Sequence, residues 1–210
     1  MLHKKLIKLA RNLICVVGFI LISPFLFLAA LGLLLEDGLP VLFVQDRIGQ
    51  NKKIFKIIKI RTLKTSTPQT GTHELKPMHR LKVGVIIRKI KLDEFPQLLN
   101  VIKGDINLVG PRPGLPNQEL LLGFRSEREV FNIKPGITGL AQVMGYDMSN
   151  PKKLSEVDEL YFRNKSLKMD ALILLATFIN SPKRYLAQHF KIEDVSSIKS
   201  TVIACLKTYF

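Results

Sequence analysis

Tryptophan is absent from this 210-residue sequence, and cysteine occurs only at Cys15 and Cys205. One cysteine lies in an apolar run and the other near the C-terminus. That excludes a disulfide framework and fits a reducing compartment. The four histidines, His3, His73, His79 and His189, lack metal-ligand spacing and read as surface or structural groups. Acids are also scarce: 17 Asp and Glu stand against 32 Lys and Arg, a formal net charge of +15. So basic a chain points to an anionic partner, whether phosphate, nucleic acid or an anionic membrane surface. Nucleic acid fits worst, because no basic stretch is interleaved with aromatic residues for base stacking. No internal repeat or low-complexity tract interrupts a length suited to one globular domain with a small appendage.

What is abundant is apolar residues. Leu13 to Leu35 carries no charge across 23 residues. As a helix it would extend about 35 Å, enough for a hydrocarbon core of about 30 Å. It is too long for the core of a signal peptide and lacks a clear small-residue cleavage site, so it is expected to remain as a membrane anchor. Ser23-Pro24 sits at its middle. Pro24 cannot donate to the carbonyl of Ile20, and the Ser23 hydroxyl is placed to satisfy that carbonyl instead. Basic residues flank both ends: His3, Lys4, Lys5, Lys8 and Arg11 before, Arg47, Lys52 and Lys53 after. Neither end therefore favours translocation. Two paths stay open on these grounds: a kinked spanning helix, or one broken at Ser23-Pro24 that returns to the same face.

Beyond the anchor, Asp46 to Lys53 reads as a polar turn. Lys53 to Leu63 follows with partial two-residue alternation, Ile58, Ile60 and Thr62 on one face, Lys59 and Arg61 on the other. Lys64 to Pro77 reads as loop. In RKIKLDEFPQLLN, Arg88 to Asn100, two adjacent acids follow a run of cations. Leu92, Phe95, Leu98, Leu99 and Ile102 have helical spacing, and Pro96 is comfortable only in a first turn. Either a helix begins at Asp93-Glu94 or its first turn is distorted there. Both place the acids near a helix N-terminus, which keeps carboxylates ionised and attracts phosphate. Gly104 to Gly114 reads as turn, short strand and a rigid Pro111-Arg112-Pro113, whose prolines hold the Arg112 guanidinium for a phosphate or carboxylate. Lys134 to Gly145 is glycine-punctuated and suited to close backbone approach. Ser155 to Asn164 looks helical. The apolar segment from Ala171 is too short to span a bilayer, and with the C-terminal tail it fits amphipathic helices on the core or at the membrane interface.

FKIIKIRTL, RKIKLDEFPQLLNVIKGDINLVGPRP and KPGITGLAQV resemble, in order and spacing, the bacterial sugar transferase family of monotopic polyprenyl-phosphate phosphoglycosyl transferases. The resemblance covers roughly Leu13 to Asp170. It implies an α+β fold: a re-entrant membrane helix broken at Ser23-Pro24, then a compact, mostly helical catalytic core with a few short strands and interfacial amphipathic helices. The expected organisation is an anchor over 1–40, a catalytic domain over 41–185 and a basic amphipathic tail over 186–210. The implied reaction moves sugar-1-phosphate from a UDP-sugar to polyprenyl (undecaprenyl) phosphate, releasing UMP, on the cytoplasmic face of the bacterial inner membrane. Partners are the donor, the acceptor and membrane lipid, without nucleic acid.

By the same resemblance Asp93 is the nucleophile, and Asp93 with Glu94 holds Mg2+, or alternatively Mn2+. Arg88 is assigned to the polyprenyl phosphate. Lys59, Arg61 and Arg112 are assigned to the donor's phosphates or to ordering the acids, Pro111, Pro113 and Gln142 to substrate binding, and Asp158 and Asp170 to site support. Three positions depart from the family pattern. Lys91 replaces a Ser or Thr that would cap the helix, Leu140 replaces a Trp, and Tyr146 stands where an Arg is common. The alternative is a non-catalytic, basic, membrane-associated protein of the same fold.

Overall fold

The computed structural model describes residues 2–67 and 79–195, without the side chains of residues 2–5, 7 and 8. Most of the loop read over Lys64 to Pro77, the tail over 196–210 with Cys205, and the basic side chains His3, Lys4, Lys5 and Lys8 lie outside the described residues. The described chain is mostly helical with four short strands, as an α+β fold requires. It divides into two compact units, Met1–Asp46 with Phe55–Asp105, and Arg47–Ile54 with Ile106–Phe210.

The first unit is built on α1 (Leu2–Asp37), a single helix that runs through Pro24. Ser23 Oγ donates to the carbonyl of Ile20 at 2.8 Å, satisfying the group the proline leaves without a donor. Cys15, Gly18, Ile22, Leu26, Ala29 and Leu33 recur at spacings of three and four, one stripe of the helix. Along that stripe α1 packs on α2 (Lys82–Lys89) and on α3 (Leu98–Lys103). Ala29 and Leu33 share a core with Ile60, Leu81, Ile87 and Leu92. Most of the rest of the apolar run, including Leu13, Ile20, Phe25, Phe27 and Leu35, is exposed.

Strands β1 (Leu42–Ile48) and β2 (Ile54–Ile60) pair as a hairpin, so β1 takes in the beginning of the segment expected as a polar turn. The expected alternation does not hold in β2. Ile57 and Ile60 are its buried residues, and Arg61 and Thr62 are buried just past its end. The strand stops at Ile60, so two-residue alternation has no reason to continue through Arg61.

α2 begins where Glu36 of α1 accepts from the backbone amides of Lys82 and Val83, at 2.6 and 2.9 Å, capping the new helix with a carboxylate. Gly84 sets how closely it can lie, because a Cβ there would collide with the Thr62 carbonyl. Gly84→Ala is therefore expected to lower stability by about 1–3 kcal/mol despite the better helix propensity of alanine. A thermal melt of the two proteins in the same detergent checks this, and an unchanged or raised Tm would refute it.

The second unit surrounds a short parallel pair, β3 (Asn107–Val109) and β4 (Gly136–Thr138), in the register Asn107 with Gly136 and Val109 with Thr138. The close backbone approach expected near Lys134 is present: side chains at Gly136 and Gly139 would overlap the backbone of Gly110. Around the pair lie α4 (Glu119–Glu127), α5 (Leu140–Val143), α6 (Pro151–Asn164), α7 (Leu167–Ala176) and α8 (Asn180–Phe190). Leu121, Leu140, Met144, Val157, Tyr161 and Ile173 lead its core. The α7–α8 hairpin is two-sided: Met169, Ile173, Ala176 and Leu186 are buried, while Leu175, Phe178 and Ile179 are exposed.

Candidate active site

The acid pair lies in a 3-10 turn, Leu92–Gln97, which passes directly into α3 at Leu98. Of the two geometries open to the sequence, the distorted first turn is the one adopted, with Pro96 inside it. Lys91, at its N-terminal edge, makes no side-chain cap and takes a left-handed backbone with φ 58°. A serine or threonine cap is thus replaced by a residue in a conformation that costs a non-glycine side chain about 1–2 kcal/mol. Strain of this size persists only where surrounding structure holds it.

Asp93 and Glu94 are both partly buried. Burial, and next the neighbouring Glu94, push the Asp93 carboxyl above its usual range; Lys59, Arg88 and its own backbone amide draw it down. The short turn therefore does not dominate, and the cations oppose burial only in part. Lys59 Nζ lies 3.1 Å from Glu94 Oε1. Arg88, in the last turn of α2, donates through Nε to Thr62 Oγ1 at 2.7 Å, which fixes its guanidinium on the side of the strand end.

Arg61 is placed differently. Its side chain is 6% exposed and lies against the C-terminal end of α1. Nη1 meets Asp37 Oδ2 at 2.8 Å and Nη2 donates to the Gly38 carbonyl at 2.6 Å. These bonds tie the anchor to the strand end. Lys59 and Arg61, expected side by side on one strand face, turn to different partners: Lys59 to Glu94 and Arg61 to Asp37.

The second unit carries the remaining predicted residues. Pro111 and Pro113 are buried and Arg112 is partly exposed between them. Gln142 Nε2 donates to the Ile137 carbonyl at 3.2 Å, and its Oε1 is buried without a partner among the described residues. Asp158 is buried against Arg125, whose Nε and Nη2 donate to its Oδ2 at 2.9 and 2.6 Å. Burial raises the Asp158 carboxyl, and Arg125 opposes the rise. Asp170 lies 2.7 Å from the Tyr161 hydroxyl, which also reaches the Val109 carbonyl at 3.2 Å. It thereby joins α6, α7 and β3. Leu140 belongs to the core, and Tyr146 packs against it with its hydroxyl buried.

Among the described residues no three His, Cys, Asp or Glu side chains cluster as a metal cage. Two adjacent carboxylates still suit Mg2+, which keeps several waters and takes one or two carboxylates plus substrate phosphates. They do not suit a site closed by protein ligands alone.

An acid dyad braced by a lysine and an arginine, beside an apolar helix, is the pattern that a family comparison can decide. The sequence matches the bacterial sugar transferase family over residues 3–184. The chain belongs to that family. The chain is 36% identical over 79% of its length to a UDP-N-acetylgalactosamine-undecaprenyl-phosphate N-acetylgalactosaminephosphotransferase of Aeromonas hydrophila, covering 41% of that protein. It is 41% identical over 68% of its length to the sugar transferase EpsL of Bacillus subtilis, covering 70% of that protein. A UDP-glucose:undecaprenyl-phosphate glucose-1-phosphate transferase of Caulobacter vibrioides is 35% identical over 75% of the chain, with 62% of its own length covered. The chain thus spans less than two thirds of the Aeromonas and Caulobacter relatives.

Four residues that hold the predicted site residues have no distinguishing signal in the sequence. Thr62 orients Arg88. Asn100, 1% exposed, accepts from the Ile58 amide and donates to the Lys56 carbonyl, tying β2 to the helix that follows the dyad. Arg125 and Arg47 act on the Pro-Arg-Pro segment, with Arg47 Nη1 donating to the Pro113 carbonyl at 3.1 Å.

Proposed function

We propose that this protein transfers sugar-1-phosphate from a UDP-sugar to polyprenyl phosphate, releasing UMP, as the first membrane step of surface glycan assembly. The observation that carries the reading is Asp93, partly buried beside Glu94 and lying in the field of Lys59 and Arg88. The names of the Aeromonas and Caulobacter relatives support the donor and acceptor classes.

In this mechanism an Asp93 carboxylate oxygen bonds to the β-phosphorus of the donor, and the bond from that phosphorus to the bridging oxygen breaks. UMP leaves with the electron pair, and the phosphosugar remains on Asp93. A phosphate oxygen of the polyprenyl phosphate then displaces Asp93, which returns as carboxylate. Splitting one transfer into two displacements is the gain of covalent catalysis. Lys59 holds Glu94 and offsets the charge of the pair. Arg88 receives the acceptor phosphate, and Arg112 and Gln142 serve the donor. A divalent ion, held by Asp93 and Glu94, would supply charge neutralisation at the diphosphate.

The test is UMP release by detergent-purified protein offered a panel of UDP-sugars with polyprenyl phosphate and Mg2+. Release from at least one sugar, stopped by EDTA and restored by Mg2+, is the expected result. No release from any of them would overturn the proposal in favour of a non-catalytic membrane protein.

The same proposal makes α1 re-entrant, with the site on the cytoplasmic face. The helix from Leu9 to Asp37 is long and apolar enough to cross a membrane. Its stripe, however, packs on the first unit on both sides of Pro24. A Cβ at Gly18 would lie 3.9 Å from Leu98 Cδ1, and one at Gly32 would lie 3.2 Å from Val83 Cγ1. The two positions are about 21 Å apart at helical rise. Elements α2 and α3 following the apolar run over that length fit a helix that enters and returns better than one that crosses. In a cysteine-free background, His3→Cys and Gln50→Cys are expected to react with an impermeant thiol reagent only from the cytoplasmic side. Labelling of position 3 from outside would establish a crossing helix.

A further inference from the structure

Each of four consecutive carbonyls in Pro111-Arg112-Pro113-Gly114 accepts a hydrogen bond from the second unit, the donors lying on β1, α4 and β4. The Gly136 amide donates to Pro111 at 3.0 Å and the Ile48 amide to Gly114 at 3.0 Å. The two inner carbonyls are taken by side chains: Arg125 Nη1 donates to Arg112 at 2.8 Å and Arg47 Nη1 to Pro113 at 3.1 Å. The prolines lack an N–H and have fixed φ, so the segment is held at every residue. Pro111, Pro113, Gly114 and Leu115 are buried, and Arg112 alone is partly exposed.

The Arg125–Asp158 pair behind this segment is 3% and 2% exposed. Such a pair seldom stabilises more than apolar residues of the same volume, so stability does not account for it. Its geometry does. Two guanidinium nitrogens are occupied by Asp158 Oδ2, and the third points at the Arg112 carbonyl. A planar fork anchored on a carboxylate delivers its remaining donor at a fixed angle, which lysine cannot do.

We infer that Arg125, oriented by Asp158, and Arg47 are positioning residues that fix the Arg112 backbone and thereby aim its guanidinium for the donor substrate. The part of this inference concerning substrate rests on the role proposed above for Arg112. The backbone part does not.

Full-length protein in detergent tests both parts. Arg125→Met/Asp158→Leu removes both buried charges together, and its Tm is expected within about 3 °C of the parent. Amide exchange at Arg112, Gly114 and Leu115 is expected to rise about tenfold or more, as local opening becomes easier, while β3 and β4 stay protected. Arg47→Met, which leaves the buried pair intact, is expected to raise exchange in the same segment, so the inference survives a failure of the double variant to fold. kcat/KM for the UDP-sugar is expected to fall about 10- to 100-fold in the double variant, as misplaced binding groups do. In an Arg112→Ala background the same two substitutions are expected to cost less than about threefold, because the effect runs through Arg112. Unchanged exchange at 111–115 overturns the inference, and so does an equal loss with and without Arg112. A parent protein that releases no UMP would instead overturn the proposed function, leaving the exchange result to decide the clamp.

Discussion

Asp93→Asn is expected to lower UMP release by about 10⁴-fold or more, the scale on which loss of a covalent nucleophile acts. The amide has the shape of the carboxylate but neither its charge nor its nucleophilicity. The Lys59–Glu94 contact and the Arg88–Thr62 bond are made by other residues, and asparagine can adopt the backbone of the 3-10 turn that carries it. The variant should therefore fold and melt like the parent, so lost activity reports chemistry. Incubating the parent with donor alone should leave a phosphosugar mass on the peptide bearing Asp93, absent from the variant. Full activity in Asp93→Asn would remove the nucleophile assignment. A mass on another residue would relocate it.

The second large effect is on folding. Asp158→Leu alone leaves the Arg125 guanidinium buried without its carboxylate, a loss of about 3–5 kcal/mol for a broken buried pair. For a chain of this size that is a fall in Tm of about 6–20 °C. Adding Arg125→Met should recover most of it, because the cost is the stranded charge and not the missing attraction. A single variant that melts with the parent would mean that water or another acid reaches Arg125.

The acid pair was readable because its parts are adjacent: two carboxylates, a proline two positions on and helical spacing beyond. Ser23 and Ile20 were readable for the same reason, being one turn apart. Arg61 was not, because its partner Asp37 lies 24 residues away and alternation along a strand cannot see where the strand stops. β1 was missed because Gln45, Asp46 and Arg47 make its second half look like a turn. Asn100, Arg47 and Arg125 were invisible for a deeper reason. They act on backbone carbonyls or amides of distant segments, and a carbonyl has no letter in the sequence. The family resemblance points to Asp158 as site support, but nothing in its sequence surroundings names Arg125, 33 residues earlier. Leu140 and Tyr146 were departures from a pattern, and the fold makes the first a core residue and packs the second against that core.

The stripe of α1 has a consequence for how the molecule can be handled. Leu33 is fully buried among residues of the first unit, Glu36 caps α2, and Asp37 holds Arg61. On the proposed reading α1 is thus an internal wall of the first unit whose other side faces lipid. Clipping it off to obtain a soluble fragment would open the core beside the dyad. Replacing it with an unrelated hydrophobic helix would do the same. A detergent-free version is better sought by recolouring its outward positions, such as Leu13, Leu21, Phe27 and Leu35, while leaving Cys15, Gly18, Ile22, Leu26, Ala29 and Leu33 untouched.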